Sequence, residues 1–119
     1  MSKHAFRTAA LLVLLLFSLS AWPGDAYWVD VRSPGEYRGG HVSEAVNIPH
    51  TEITQRISEV TTDPDATLYL YCRSGNRSGK AKKALEQAGF TSVVNVGGYR
   101  DAVKMFEELS ASDAAEQAQ

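Results

Sequence analysis

Residues 67–77 read Thr-Leu-Tyr-Leu-Tyr-Cys-Arg-Ser-Gly-Asn-Arg, an apolar run that ends on a cysteine and opens into a small polar loop. A run of strand length with no polar alternation, such as Thr67 to Tyr71, fits a strand covered on both faces. A helical pattern follows at once. Ala81, Ala84, Leu85 and Ala88 share one side of a helix expected over 78–88, Lys80, Lys82 and Lys83 fall mostly elsewhere, and Gly89 supplies the stop. A doubly covered strand that feeds straight into a helix confines the chain to an α/β fold: three layers, a mainly parallel central sheet flanked by helices.

The flanking segments agree with that architecture. Tyr27 to Val31 is aromatic and β-branched and reads as a strand, and Ala45 to Ile48 as a second, closed by Pro49. Between them, SPGEYRGGH is turn-rich and reads as a loop. Ile53, Ile57 and Val60 recur at helical spacing and predict an amphipathic helix over 51–60. Ser92 to Val96 reads as a further strand, Gly97-Gly98 as a turn, and Tyr99 to Leu109 as a final helix with Val103, Phe106 and Leu109 inward. The polar residues 110–119 read as a flexible tail.

The first residues are of another kind. Lys3 and Arg7 precede AALLVLLLFSLSA, and no acid occurs before Asp25. A basic start, a short apolar core and then small residues form the pattern of a secretory signal peptide over 1–26. The apolar run is shorter than the roughly 20 residues that a spanning helix needs, so membrane contact is expected only through this segment before cleavage, and the mature protein is expected in the periplasm. Cutting after Ala21 puts Leu19 at −3, a poor fit. Cutting after Ala26 puts Gly24 and Ala26 at −3 and −1, a good fit that crowds the first strand. The mature chain is then 98 (119 − 21) or 93 (119 − 26) residues, one domain over 27–109. Loss of Lys3 and Arg7 changes the formal charge from −2 to −4. A mildly acidic domain without a basic stripe is a poor nucleic-acid binder.

Cys72 is the single cysteine, and an unpaired cysteine in an exported chain suggests a reactive thiol. It falls at the carboxyl end of the central strand, where parallel sheets hold ligands. In Cys72-Arg73-Ser74-Gly75-Asn76-Arg77, successive backbone N–H groups can turn inward as an anion cradle, with the helix N-terminus behind them. Gly75 permits the dihedrals of a tight cradle. Arg73 and Arg77 add positive charge, and the amides, the helix N-terminus and the two cations together lower the thiol pKa and bind a small dianion. A thiolate facing a bound anion suits nucleophilic transfer of an atom from that anion. A thiol of depressed pKa needs no general base, and no Cys–His pair is expected. No metal or other cofactor is expected.

Three segments, WVDVRSPGEYRGGHVSEAVNIP, YLYCRSGNRSGKAKKAL and GFTSVVNVGGYRDA, together resemble the rhodanese homology domain, most closely its small exported single-domain members. The likeness covers about Tyr27 to Glu108. It implies the rhodanese fold and transfer of sulfane sulfur from a donor such as thiosulfate, through a cysteine persulfide, to cyanide, a dithiol or a thioredoxin-like protein. By resemblance Cys72 is the catalytic cysteine, Arg73, Ser74, Gly75, Asn76 and Arg77 surround the persulfide, and Asp30 and Arg32 brace the site. His41 matches a Gly-His position and is expected to serve as a hydrogen-bonded turn residue. Two other readings compete. One is a non-enzymatic sulfur carrier. The other is a rhodanese-like Cys phosphatase, disfavoured because only four residues separate Cys72 from Arg77, one fewer than in those enzymes.

Overall fold

A computed structural model describes residues 25–118; all but the last two residues of the expected signal peptide lie outside them. Four strands, β1 (Ala26–Asp30), β2 (Val46–Asn47), β3 (Thr67–Cys72) and β4 (Ser92–Gly98), form one sheet in the order β2-β1-β3-β4, and every pairing is parallel. β3 is central and carries side chains alternately to two cores. Leu68, Leu70 and Cys72 pack on one face with Val29, Ile48, Ile53, Ile57, Ala81 and Leu85. Tyr71 and Tyr69 join Trp28, Val42, Ala102 and Phe106 on the other. A strand buried on both faces shows no polar alternation in sequence, because neither side meets water. The architecture is therefore the expected three-layer α/β fold.

Helices α3 (Asn76–Gln87) and α4 (Tyr99–Gln117) cover opposite faces. α3 begins two residues before the expected start and α4 runs past Leu109 to Gln117, into the expected tail; residues 107–118 are all exposed. Nothing in the sequence stops that helix. No glycine or proline occurs after Gly98, and Ala, Glu and Gln favour helix. No described helix is long and apolar enough to cross a membrane.

Three further expectations are corrected. Residues 51–60 do not form one helix. A 3₁₀ turn (His50–Glu52), a four-residue α2 (Ile53–Arg56) and a second 3₁₀ turn (Ile57–Glu59) follow in series. No side chain caps any of them, and β-branched Ile53, Thr54 and Ile57 disfavour a long helix. Ile53 and Ile57 are buried all the same. The expected loop at SPGEYRGGH contains helix α1 (Pro34–Arg38). Ser33 Oγ accepts the Glu36 N–H at 3.3 Å while Glu36 accepts the Ser33 N–H at 3.2 Å, a capping box with Pro34 at the first helical position. Finally, Gly97-Gly98 belongs to β4. The register slips there, Leu70 opposing Asn95 and Tyr71 opposing Gly97, so Val96 is the extra residue of a bulge.

Candidate active site

Cys72 is the last residue of β3, and its side chain points into the core rather than standing partly exposed in a loop. Gly75, at φ +94°, turns the chain so that α3 starts at Asn76 with its open N–H groups toward the sulfur. The Gly75 N–H donates to Cys72 Sγ at 3.0 Å, and Ser78 Oγ lies 3.4 Å from it. Burial pushes the thiol pKa up. The Ser78 hydroxyl and the N–H groups of Ser78, Ser74 and Gly75 outweigh burial and bring it down to about 7. Hydrogen bonds from the loop and the helix start are the main lowering influence, and the Arg77 charge also interacts with the thiolate.

The arginines are differently placed. Arg77 does not face the sulfur as a free cation. Its Nη1 and Nη2 donate to Glu36 Oε1 and Oε2 at 2.8 and 3.1 Å, a bidentate pair that clasps α3 to α1. The Arg77 guanidinium, joined by the Ser33 N–H and hydroxyl, holds the Glu36 carboxyl well below its usual range, at about 2. Arg73 lines a cavity of about 700 Å³ with Arg32, Gly98, Tyr99, Arg100 and Asp101 among others. Neither Arg73 nor Arg100 forms an ion pair among the described residues. Cys72 is buried and does not line this cavity, although its neighbour Arg73 does.

Asp30 and Arg32 stand at the end of β1, both buried. Arg32 donates to both Asp30 oxygens, at 2.6 to 3.0 Å, and to the Gly40 carbonyl at 2.6 Å. Its guanidinium lies 4.7 Å from the Tyr99 ring centre and 5.5 Å from that of Tyr71. This compensated pair joins β1, the Gly40 turn and the start of α4, with Arg32 in the wall of the cavity. His41 stacks on Tyr37 with ring centres 3.6 Å apart, its Nδ1 2.8 Å from the Tyr37 carbonyl oxygen. No described His, Cys, Asp and Glu side chains cluster as metal ligands.

Gly98 lies against the loop: a Cβ there would meet the Arg73 carbonyl oxygen at 2.8 Å. Ser78, Asn95 and Glu36 are the site residues that sequence reasoning missed. Ser78 had a signal, since it is the third residue of a helix starting after Gly75. Glu36 had its capping box. Asn95 had none, because its place depends on the pairing of β4 with β3, which sets it opposite Leu70.

The comparisons with known proteins agree with this geometry. Residues 18–104 match the Rhodanese-like domain family. The chain belongs to the rhodanese family. Among rhodanese relatives it is 40% identical over 96 residues to the thiosulfate sulfurtransferase PspE of Escherichia coli (strain K12), covering 81% of this chain and 91% of that protein. It is 39% identical over 74 residues to a sulfurtransferase of Allochromatium vinosum, covering 62% and 67%. A solved structure described as a rhodanese with anions from E. coli superposes with a TM-score of 0.62 at 42% identity, over 64% of this chain and 89% of that one.

Proposed function

We propose that this rhodanese is a thiosulfate sulfurtransferase that carries sulfane sulfur on Cys72. The observation that carries the reading is the buried Cys72 sulfur at the N-terminus of α3, hydrogen-bonded by the Gly75 N–H. The Cys72 thiolate attacks the outer sulfur of thiosulfate. The S–S bond of the donor breaks and sulfite leaves with its electron pair. The persulfide keeps its charge on the outer sulfur, where the loop amides receive it. Cyanide or an acceptor thiolate then attacks that sulfur, and the electron pair of the Sγ–S bond returns to Cys72. A thioredoxin-like dithiol is a suitable acceptor.

Arg73 and Arg100 at the cavity mouth attract the dianionic donor and the departing sulfite. The sulfur is buried, so residues 73–77 must yield for the donor to enter. The Glu36 hold on Arg77 weighs against phosphate-ester chemistry, which would need that guanidinium on the phosphoryl oxygens. Asp30 holds Arg32, which lines the same cavity, and the pair braces the site.

Export follows from the N-terminal pattern, with the mature protein in the periplasm. The structure favours the cut after Ala21. Ala26 pairs with Thr67 and the Asp25 carbonyl accepts the Thr67 N–H at 2.9 Å, so a cut after Ala26 would remove both from the sheet.

The test is steady-state thiosulfate:cyanide turnover together with intact mass after thiosulfate treatment. One added sulfur, lost to cyanide, and no turnover in Cys72→Ala are expected. Sulfur loading without turnover would instead mark a carrier, and turnover in Cys72→Ala would refute the covalent mechanism.

A further inference from the structure

Ser78 lies against the Cys72 sulfur and Asn95, an exposed residue of β4, lies against Ser78; the sulfur-transfer steps above assign neither a part. Ser78 is fully buried; its hydroxyl lies 3.4 Å from Cys72 Sγ and 2.7 Å from Asn95 Oδ1. The Asn95 amide has only one sensible orientation. Its Nδ2 donates to the Gly75 carbonyl at 3.0 Å, and its Oδ1 accepts the Gly97 N–H at 3.1 Å. Turned over, its oxygen would face a carbonyl and its NH₂ would face an N–H. Asn95 therefore offers Ser78 an acceptor and never a donor.

Ser78 has one proton for two neighbours. With Cys72 as thiol, the chain runs one way: S–H to Ser78 Oγ, then Ser78 O–H to Asn95 Oδ1. With Cys72 as thiolate, both neighbours are acceptors, and the proton goes to the one that carries a full charge. The exchange is inexpensive, because Asn95 Oδ1 keeps the Gly97 N–H and no acceptor is orphaned.

We propose that the Ser78 hydroxyl is a switching donor that leaves Asn95 Oδ1 for Cys72 Sγ whenever the sulfur-free thiolate forms, and that Asn95 is the positioning residue that supplies its resting partner. The catalytic half of this inference rests on Cys72 as the sulfur carrier. In the persulfide, Sγ is bonded to carbon and to sulfur and the charge sits on the outer sulfur, so the hydroxyl returns to Asn95. When an acceptor bonds to the outer sulfur and the Sγ–S bond breaks, the electron pair arrives on Sγ. Ser78 then turns back and stabilises the leaving thiolate. Ser78 thus serves the discharge step, and Asn95 competes with it.

The two residues make opposite predictions. Titration of the sulfur-free protein, followed by thiolate ultraviolet absorbance against a Cys72→Ser control, gives the ionisation midpoint. Ser78→Ala should raise that midpoint by about one pH unit, the effect of one charge-assisted hydrogen bond. Asn95→Ala should lower it, because the hydroxyl loses its competing acceptor. Midpoints that move in the same direction, or do not move, would overturn the switch; general loosening of the loop cannot give opposite signs. In single turnover, Ser78→Ala should discharge preloaded persulfide to cyanide about tenfold more slowly, and an unchanged rate would overturn its leaving-group role. If thiosulfate adds no sulfur to the parent by intact mass, the sulfurtransferase reading fails, while the titration still decides the switch.

Discussion

At the scale of the residue, Cys72 packs in the core as well as carrying the proposed sulfur chemistry. Its replacement is therefore not silent for stability. Cys72→Ala should abolish turnover and also cost about 1 kcal/mol, the loss of one buried heavy atom, measured by urea denaturation. Its ionisation adds a pH dependence. The folded pKa is depressed to about 7 from an ordinary 9.0. The folded state gains relative stability as pH rises from about 7, reaches the full gain above about 9, and loses it as pH falls back through 7. Cys72→Ala should lack that rise. The arginines divide the remaining work. Arg73→Ala or Arg100→Ala should raise the Michaelis constant for thiosulfate about three- to tenfold with turnover little changed, since each removes one exposed charge worth up to roughly 1 kcal/mol. Equal constants in parent and variants would show that these guanidinium groups do not meet the donor.

At the scale of the element, the clasp between α1 and α3 should control access to the sulfur. Glu36 holds Arg77, and Arg77 is the second residue of the helix whose N-terminus faces Cys72. Glu36→Gln removes the charge and half of the bidentate geometry. It should raise the high-pH plateau rate of iodoacetamide alkylation at Cys72, because residues 73–77 open more often. An unchanged plateau would show that the loop opens elsewhere. The carboxyl titrates at about 2, so the clasp contributes fully above about pH 4.5 and is lost only as pH falls toward 2. On the opposite side of the loop, Gly98→Ala should lower both activity and stability, by about 1–3 kcal/mol for the latter. The added methyl must displace either the Arg73 carbonyl or β4, and both are backbone.

At the scale of the whole molecule, the ends of the domain follow from what the sheet and its covering helices need. A chain that begins at Tyr27 loses the first rung of β1 against β3 and should melt below one that begins at Trp22; N-terminal sequencing of the exported protein should return Trp22. At the other end, residues 110–117 are helical yet wholly exposed. Truncation after Leu109 should change stability by no more than about 0.5 kcal/mol. Both ends lie away from the β3–α3 junction, so neither change should alter the titration of Cys72.

The amino-acid sequence by itself determined the class of the fold, the central strand, the cysteine at its carboxyl end and the family. These rest on local signals: an apolar run at Thr67–Tyr71, helical spacing at Ala81, Ala84 and Leu85, and the order of three motifs along the chain. It carried the capping box of α1 as well, in Ser33, Pro34 and Glu36, though the glycines around it read more strongly as a loop. Only the tertiary structure decided the environment of the sulfur. Arg77 turned to Glu36, 41 positions away in sequence, and Asn95 reached Ser78 because β4 pairs with β3 so that Asn95 lies opposite Leu70. Those partners are chosen by strand register and by which faces pack together, and no local periodicity encodes them. The acidity of Cys72 itself comes from the near-sequence groups of Ser74, Gly75 and Ser78, which is why its direction could be read from the loop, while the burial that opposes it is set by the packing of the core.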